Sequence, residues 1–206
     1  MKIELHKISL TFKDQKLFSD LSLNIAQGEK VWLQGPSGSG KSTLMKIIFG
    51  FQQPNSGEVV IDGNILNARN INAIRSGMGY VAQNIPLPKL KVGRFVDELI
   101  QFEANRKLGL SKDVVLKTLE KYGLEEDVLD KNTEELSGGE RQRLGFGLLT
   151  LLDREIWLLD EVTSGLDNNN AKLIIKEVEE TKATVVVISH DKIWEKLNLK
   201  KIQINE

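Results

Sequence analysis

One eight-residue segment, residues 35–42, constrains the fold of this 206-residue chain more than any other feature. It matches the pattern G-x-x-x-x-G-K-[ST] at every fixed position, and it lies between a predicted buried strand at 31–33 and a predicted helix at 42–49. Glycines let the backbone turn so that successive N–H groups point at phosphate oxygens, and the helix N-terminus favours negative charge. The segment therefore predicts a phosphate-binding loop and not an ordinary glycine-rich turn. Its residues are Gly35, Pro36, Ser37, Gly38, Ser39, Gly40, Lys41 and Ser42.

The last residues of this phosphate loop carry the expected chemistry. Lys41 places a cation between the β- and γ-phosphates of a nucleotide, and the hydroxyl of Ser42 is a ligand for a Mg²⁺ that bridges them. Thr43 is placed to support the loop or to contact the α-phosphate. The expected cofactors are ATP and Mg²⁺.

Composition excludes several other classes of protein. With 28 basic and 29 acidic residues the net charge is −1, which argues against a general nucleic-acid-binding surface. The chain has no cysteine, so disulfides, zinc–cysteine sites and a thiol nucleophile are excluded, and a reducing compartment fits. The first residues resemble no signal peptide, and no apolar run approaches a membrane-spanning length. We expect one domain, neither exported by a signal peptide nor membrane-spanning by itself.

The hydrophobic pattern predicts an α/β fold. Alternation at 2–12 and 21–25 indicates antiparallel strands, and 57–63 and 78–82 are further strands. The runs 156–159 and 184–188 are apolar throughout, as in parallel strands covered on both faces. Between 83 and 152 the pattern is helical, with Ser111 as a predicted N-cap. We expect residues 1–82 and 153–206 to form the α/β core with an antiparallel β subdomain, and 83–152 a helical subdomain.

Two carboxylates follow the strand at 156–159. Asp160 at the strand end is suited to hold Mg²⁺ through water, and Glu161 to polarise the water that attacks the γ-phosphate. Alone, such a pair is usually a solvated strand end. Beside a phosphate loop it indicates nucleotide hydrolysis.

The signature segment narrows the class of protein; it consists of Leu136, Ser137, Gly138, Gly139 and Glu140. Its adjacent glycines after a serine predict a second phosphate-binding helix N-terminus, which a single site does not need. With the phosphate loop and the acidic pair, it resembles the ATPase subunit of ATP-binding cassette (ABC) transporters over essentially the whole chain. That resemblance implies a P-loop ATPase fold of ABC type, and a head-to-tail dimer, with itself or a homologous ATPase subunit, in which Ser137 and Gly139 cap the partner's γ-phosphate.

The resemblance also implies roles for residues between and around these segments. Gln83 matches the glutamine that contacts Mg²⁺ and the attacking water, and Ser164 and Asp167 match a loop at the dimer interface. His190 matches the histidine that senses the γ-phosphate, although a capping or core histidine is the alternative. Phe12 lies where the family stacks an aromatic ring on adenine, and the alternative is a core phenylalanine.

Two departures from the family pattern stand out. Val162 replaces the usual proline after the acidic pair, so a looser turn is expected. Gly145 and Gly147 replace helix-favouring residues, and each is expected to cost about 1 kcal/mol relative to alanine. The short chain, Val162 and the stretch 190–192 resemble compact ATPases of a bacterial metal-efflux type.

The function expected from the resemblance is ATP hydrolysis that drives transport through a separate integral membrane partner, from the cytoplasmic face of the membrane. Leu90, Val92 and Phe95, after Gln83, either face that partner or only pack the helical subdomain. The alternative function is a soluble ABC-type ATPase in an assembly complex, such as one for iron–sulfur clusters, with no transporter. The substrate and the direction of transport lie outside what this chain encodes.

Overall fold

The computed structural model describes residues 1–12 and 15–204, which form two sheets and two layers of helices. The strands are β1 Ile3–Phe12, β2 Gln15–Ile25, β3 Lys30–Gln34, β4 Ser56–Ile61, β5 Asn64–Ile65, β6 Met78–Val81, β7 Ile156–Asp160, β8 Thr184–Ile188 and β9 Lys200–Gln203. The helices are α1 Lys41–Ile48, α2 Ile71–Arg75, α3 Val92–Gln101, α4 Glu103–Arg106, α5 Lys112–Lys121, α6 Gly138–Leu151 and α7 Asn168–Glu180. Short 3₁₀ turns lie at Glu126–Leu129 and Lys192–Lys196.

The larger sheet is parallel and has the strand order β6-β7-β8-β3-β9. Every residue of β7 and β8 is buried, which confirms the prediction from their continuous apolar sequences. Because the strands are parallel, the carboxyl ends of β3, β6, β7 and β8 meet at one edge of the sheet. The phosphate loop, Gln83, the acidic pair and His190 all follow one of these ends.

The smaller sheet is antiparallel, in the order β2-β1-β4-β5. Its buried face carries the alternate apolar residues of β1, including Ile3, Leu5 and Ile8, and packs with α1 and the parallel sheet in one apolar cluster. In α1, Leu44, Met45, Ile47 and Ile48 are almost completely buried, and burying each such side chain contributes about 1.5–3 kcal/mol. The helix that follows the phosphate loop is thus anchored between the two sheets.

Helices α3 to α6 form a separate group with an apolar cluster of their own, which includes Val96, Leu119 and Leu144. As predicted, Ser111 caps α5: its hydroxyl accepts a hydrogen bond from the Val114 N–H at 3.3 Å. No helix within residues 1–12 and 15–204 has both the length and the apolar character needed to cross a bilayer.

The two glycines of α6 have a packing reason, and their expected cost in helix propensity stays a prediction. The helix is continuous through both positions. A β-carbon on Gly145 would overlap Cδ1 of Ile85, and one on Gly147 would lie 3.1 Å from both Leu119 and the ring of Tyr122. Alanine would therefore gain helix propensity and lose close packing.

Candidate functional site

A cavity of about 470 Å³ opens at the carboxyl edge of the parallel sheet and collects residues from five separate parts of the chain. Eleven of the predicted site residues line it: Phe12, Ser37, Gly38, Gly40, Lys41, Ser42, Thr43, Gln83, Asp160, Glu161 and His190. Gln15, Leu17 and Ile188 line it as well and were not predicted. Phe12 is 52% exposed and lines this cavity, so it is not a core residue.

The phosphate loop needs glycine at its turning points. Gly38 and Gly40 have φ of 85° and 88°, in the left-handed region that favours glycine. A β-carbon on Gly35 would overlap the carbonyl oxygen of Ile204. Gly40 is also the N-cap of α1 and offers no side-chain cap, so the N–H groups of the first turn of α1 remain directed toward the cavity.

Lys41 is held by the loop itself. Its Nζ donates hydrogen bonds of 2.8 Å to the carbonyl oxygens of Gly35 and Pro36, and the residue is 8% exposed. Ser39, also predicted, is buried below the loop, and its Oγ has no hydrogen-bond partner within residues 1–12 and 15–204. The loop thus presents one ammonium group and several backbone N–H groups to an anion.

Asp160 has the environment of a metal ligand. It is 3% exposed, its Oδ2 accepts a hydrogen bond from the Tyr80 hydroxyl at 3.4 Å, and Oδ1 has no partner among the described residues. Burial raises the pKa of this carboxyl, and hydrogen bonds from Ser42 and Tyr80 oppose that rise. A carboxylate, the Ser42 hydroxyl and the Gln83 amide in one cavity form an oxygen donor set that fits Mg²⁺.

Glu161 occupies a strained backbone position beside Asp160. Its φ is 54°, an unusual value for a residue other than glycine, and its N–H donates to the carbonyl of Ile188 at 2.8 Å. Glu161 Oε2 accepts a hydrogen bond from the His190 N–H at 3.3 Å, and Oε1 lies 3.7 Å from His190 Nε2. The geometry holds a largely buried carboxylate at the cavity wall, next to a His190 side chain that is 67% exposed.

The turn after Glu161 packs into the core. Val162 is fully buried. The hydroxyl of buried Thr163 accepts a hydrogen bond from the indole N–H of Trp194 at 3.1 Å, and the N–H of Ser164 donates to the carbonyl of Glu161 at 3.0 Å. These contacts hold the turn in place, and the looser turn expected without proline stays a prediction.

The signature segment lies outside the nucleotide cavity of its own chain. Leu136 is buried and anchors it, whereas Ser137 and Gly138 are exposed at the start of α6. Ser137 and Glu140 form a capping box: each side chain accepts a hydrogen bond from the backbone N–H of the other residue, at 3.2 and 2.8 Å. A hydrogen bond from the Ser137 side chain also lowers the pKa of Glu140, so this hydroxyl is engaged within the capping box.

The interface loop, residues 164–167, lies beside the start of α6. A β-carbon on Gly139 would lie 3.7 Å from Leu166 Cδ2 and 3.9 Å from the carbonyl oxygen of Gly165. Asp167 is the N-cap of α7 and accepts hydrogen bonds from the N–H groups of Asn169 and Asn170. The signature segment and the interface loop therefore form one continuous surface.

An apolar groove of about 590 Å³ adjoins the nucleotide cavity and shares Ser42, Gln83 and Asp160 with it. Its apolar wall consists of Phe49, Phe51, Tyr80, Ala82, Ile85, Pro86, Leu87 and Phe95. Leu90, Val92 and Phe95 were expected either to face the membrane partner or to pack the helical subdomain. Val92 is fully buried in the helical group, Leu90 is half-buried, and Phe95 lines the groove.

Sequence reasoning missed Tyr80 and Gln142, which touch predicted site residues. The signal for Tyr80 is its position in β6, three residues before Gln83, because β6 neighbours the strand that ends in Asp160. Gln142 carries a weaker signal, a polar residue on a helix face that is otherwise apolar. Gln15 and Leu17 carry no signal, because they reach the cavity through strand pairing alone.

Comparison with known proteins agrees with this geometry. A family model described as ABC transporter matches residues 18–164. The chain is 35% identical over 198 residues to the energy-coupling factor transporter ATP-binding protein EcfA1 of Mycoplasma mobile, covering 92% of this chain and 71% of that protein. It is 31% identical to the probable iron export ATP-binding protein FetA of Escherichia coli K12, covering 92% of this chain and 85% of FetA.

A solved structure also resembles this chain. A dimeric ATP-binding cassette in a post-hydrolysis state, bound to ADP and Pi, superposes with a TM-score of 0.76 at 31% identity, covering 92% of this chain and 88% of the other. Two further relatives are longer than this chain, which covers 66% of the length of the first and 35% of the length of the second. Family model, relatives and site geometry agree: the chain belongs to the ABC transporter family, as an ATP-binding subunit whose site is that of an ATPase using ATP and Mg²⁺.

Proposed function

We propose that two copies of this chain, or this chain and a homologous subunit, close head to tail around two ATP molecules and use their hydrolysis to drive a membrane-spanning partner. In each site the phosphate loop and Thr43 of one copy hold the nucleotide, with Phe12 against the adenine. Ser137 and Gly139 of the other copy cap the γ-phosphate. The interface loop, with Ser164 and Asp167, lies between the two sites.

One observation carries this proposal: Ser137 and Gly138 are exposed and lie outside the cavity that Lys41, Ser42, Thr43 and His190 line. The interface loop lies next to the signature segment at Gly139. A γ-phosphate capped from a second copy gives ATP a higher affinity for the closed dimer than ADP has, because ADP lacks the group that both copies contact. Binding then favours closure, and hydrolysis favours opening.

Within the site, the residues divide the chemistry. Asp160, Ser42 and Gln83 would hold Mg²⁺, which offsets the negative charge that develops on the β- and γ-phosphates. Glu161 accepts a proton from the attacking water, and its strained, hydrogen-bonded backbone keeps the carboxylate at the cavity wall. His190, on the exposed side of that carboxylate, contacts the γ-phosphate and orients it for in-line attack.

The apolar groove is the proposed docking surface for the membrane partner, and the proposed location of this subunit is the cytoplasmic face of the membrane. The groove shares Gln83 and Asp160 with the nucleotide cavity, so one loop contacts both the partner and the nucleotide. EcfA1 is named for energy-coupling factor transport and FetA for iron export. The sequence identities to EcfA1 and FetA are similar, at 35% and 31%, so the comparison assigns no substrate to this chain. The resemblance to metal-efflux ATPases assigns none either.

The test replaces Glu161 by glutamine, which keeps the side-chain shape and removes the base. We expect Glu161→Gln to lose ATP turnover by at least about 100-fold, since a positioned general base contributes about 10²–10⁴-fold, and to accumulate as an ATP-bound dimer in analytical ultracentrifugation. Turnover at the wild-type rate would contradict the role given to Glu161.

The same variant tests the partner. Tagged Glu161→Gln is expressed in the native host, solubilised in mild detergent with ATP, and its co-purifying chains are identified by mass spectrometry. A stoichiometric multi-span membrane protein is the expected result. Recovery of soluble chains alone would favour an assembly ATPase with no transporter. Phe51→Ala, which alters the groove wall at an exposed ring outside the nucleotide cavity, is the matched control and should lose the membrane chain while retaining ATP turnover.

A further inference from the structure

Helix α6 does more than present the signature segment, because its side also contacts the loop that carries Gln83. Nε2 of Gln142 donates a hydrogen bond to the carbonyl oxygen of Gln83 at 2.7 Å and lies 3.5 Å from that of Ala82. Gln142 is 6% exposed. A buried side-chain amide therefore fixes the backbone of the residue that is proposed to contact Mg²⁺.

A second contact lies one turn further along the same helix. Gly145 allows Ile85 to pack directly on the backbone of α6, since a β-carbon there would overlap Ile85 Cδ1 and would lie 3.7 Å from Val81. The loop from Val81 to Ile85 is therefore held at two points, one polar and one apolar. A displacement of α6 along or across its axis moves both points together.

Stability alone does not explain an amide at position 142. The neighbouring buried residues on α6, Leu144, Phe146 and Leu149, are apolar. Within the described part of the chain, Oε1 of Gln142 has no hydrogen-bond partner, and an unpaired buried polar atom is unfavourable. An apolar residue of similar size would avoid that cost, so the bond to the loop is the feature that distinguishes glutamine here.

We propose that Gln142 is a positioning residue that couples the two ATP sites of the dimer through α6. This inference rests on the proposed function, in which Ser137 contacts the nucleotide of the partner copy. Gln142 lies five residues after Ser137, about 7 Å along the axis at 1.5 Å per residue. The capping box fixes Ser137 to the first turn, so the helix transmits the position of the signature segment to Gln83 as a rigid element.

The consequence is reciprocal coupling between the two sites of the dimer. Closure on the partner's ATP sets the position of α6, which sets the backbone at Gln83, which in turn orients that side chain in the site of its own chain. Each site then reaches its active geometry only when the other is occupied. The hydrogen bond from Gln142 is the polar link in that path.

The experiment compares Gln142→Met with Leu144→Met in the full chain. Both are near volume-conserving changes at buried positions of α6, but only the first removes the bond to the Gln83 carbonyl. For Gln142→Met we expect kcat to fall about tenfold or more, because displaced active-site groups cost one to two orders of magnitude. The Mg²⁺ concentration for half-maximal turnover should rise, while ATP affinity of the monomer and Tm stay close to those of Leu144→Met.

A double variant separates positioning from packing. If Gln142 acts through Gln83, then Gln142→Met combined with Gln83→Ala is no slower than Gln83→Ala alone, and the Hill coefficient for ATP falls toward 1 in either single variant. Losses that multiply, or a kcat and Mg²⁺ dependence equal to those of Leu144→Met, would overturn the inference. If Gln83→Ala itself leaves kcat unchanged, the role of Gln83 in the proposed function fails instead.

Discussion

The starts of α1 and α6 are both helix N-termini proposed to contact phosphate, yet they are built in opposite ways. Helix α1 begins at Gly40, which has φ of 88° and supplies no side-chain cap. Helix α6 begins at Ser137, whose capping box with Glu140 satisfies the N–H groups of these two residues within the chain. The first end has no side-chain cap and leaves its N–H groups for a ligand, whereas the second is partly capped before any ligand binds.

This difference shows how one chain can hold a nucleotide and also recognise the nucleotide of another copy. The phosphate loop supplies most of the binding energy through N–H groups and Lys41, so it is built to be completed by the ligand. The signature segment adds only what remains after capping, chiefly the backbone at Gly138 and Gly139. A preformed, self-capped end suits a surface that must meet its partner's γ-phosphate without refolding.

The largest expected effect concerns the start of α1, whose N–H groups are left open for the ligand. Lys41→Met removes two or more charge-assisted hydrogen bonds to phosphate, each worth about 1.5–3 kcal/mol, so ATP affinity should fall by about 100-fold or more. Titration calorimetry with Mg-ATP measures it. Lys46→Met, one turn along the same helix and exposed, makes the same change in charge and should retain most of the affinity. Equal losses in both variants would mean that net charge, and not the loop, binds ATP.

The second-largest expected effect concerns the start of α6 and leaves the start of α1 unchanged. Ser137→Arg places a long cation where the partner's nucleotide would approach, so we expect ATP binding by the monomer to remain and the closed dimer of the Glu161→Gln background to disappear. Analytical ultracentrifugation with ATP reads the outcome. Ser137→Ala is the control for the cap alone and should cost about 1 kcal/mol of stability. An unaltered dimer in Ser137→Arg would remove the role of the signature segment in trans.

The smallest effect is a pH dependence that belongs to α6 and not to α1. Hydrogen bonds from the Ser137 N–H and the Ser137 side chain, and then from Lys131, lower the pKa of Glu140 to about 2. Because the folded pKa lies below the unfolded value, this contribution to stability is present above about pH 4.5 and is lost as the pH falls toward 2. Glu140→Gln keeps a capping box, so stability at pH 7 should change by less than about 1 kcal/mol.

Urea unfolding at several pH values below 5 measures that difference. The slope of unfolding free energy against pH should be smaller in Glu140→Gln than in the wild type. Lys131→Ala is the matched control: it removes the ion pair at 3.2 Å but leaves the backbone hydrogen bond that dominates the shift, so most of the slope should remain. A full slope in Glu140→Gln would assign the acid sensitivity to other carboxylates.

Much of the fold was predictable because its strongest signals are local. The glycines of the phosphate loop and the apolar runs of β7 and β8 specify their own conformations, and the order of strands and helices then gives the parallel core. The N-cap Ser111 at the start of α5 is likewise specified by the local sequence, and the structure confirms this cap.

The contacts that could not be predicted are those between distant segments. Gly145 and Val162 are examples, because their packing depends on Ile85 and on the buried core, neither of which a local pattern reveals. Helix propensity depends on the residue itself, whereas close packing depends on the residue and on the neighbour that it contacts. The capping box of Ser137 and Glu140 is local and was overlooked, since a serine followed three residues later by a glutamate is its sequence pattern.

The hydrogen bond between Trp194 and Thr163 has an optical consequence. The indole is fully buried, and its N–H is tied to the turn that follows Glu161, only two residues from the proposed base. The emission of such a fluorophore depends on whether that hydrogen bond is kept and on whether water approaches the ring. A rearrangement of this turn during turnover should therefore change the intrinsic fluorescence of the chain. Trp194 is thus an intrinsic reporter of structural change next to the proposed catalytic base.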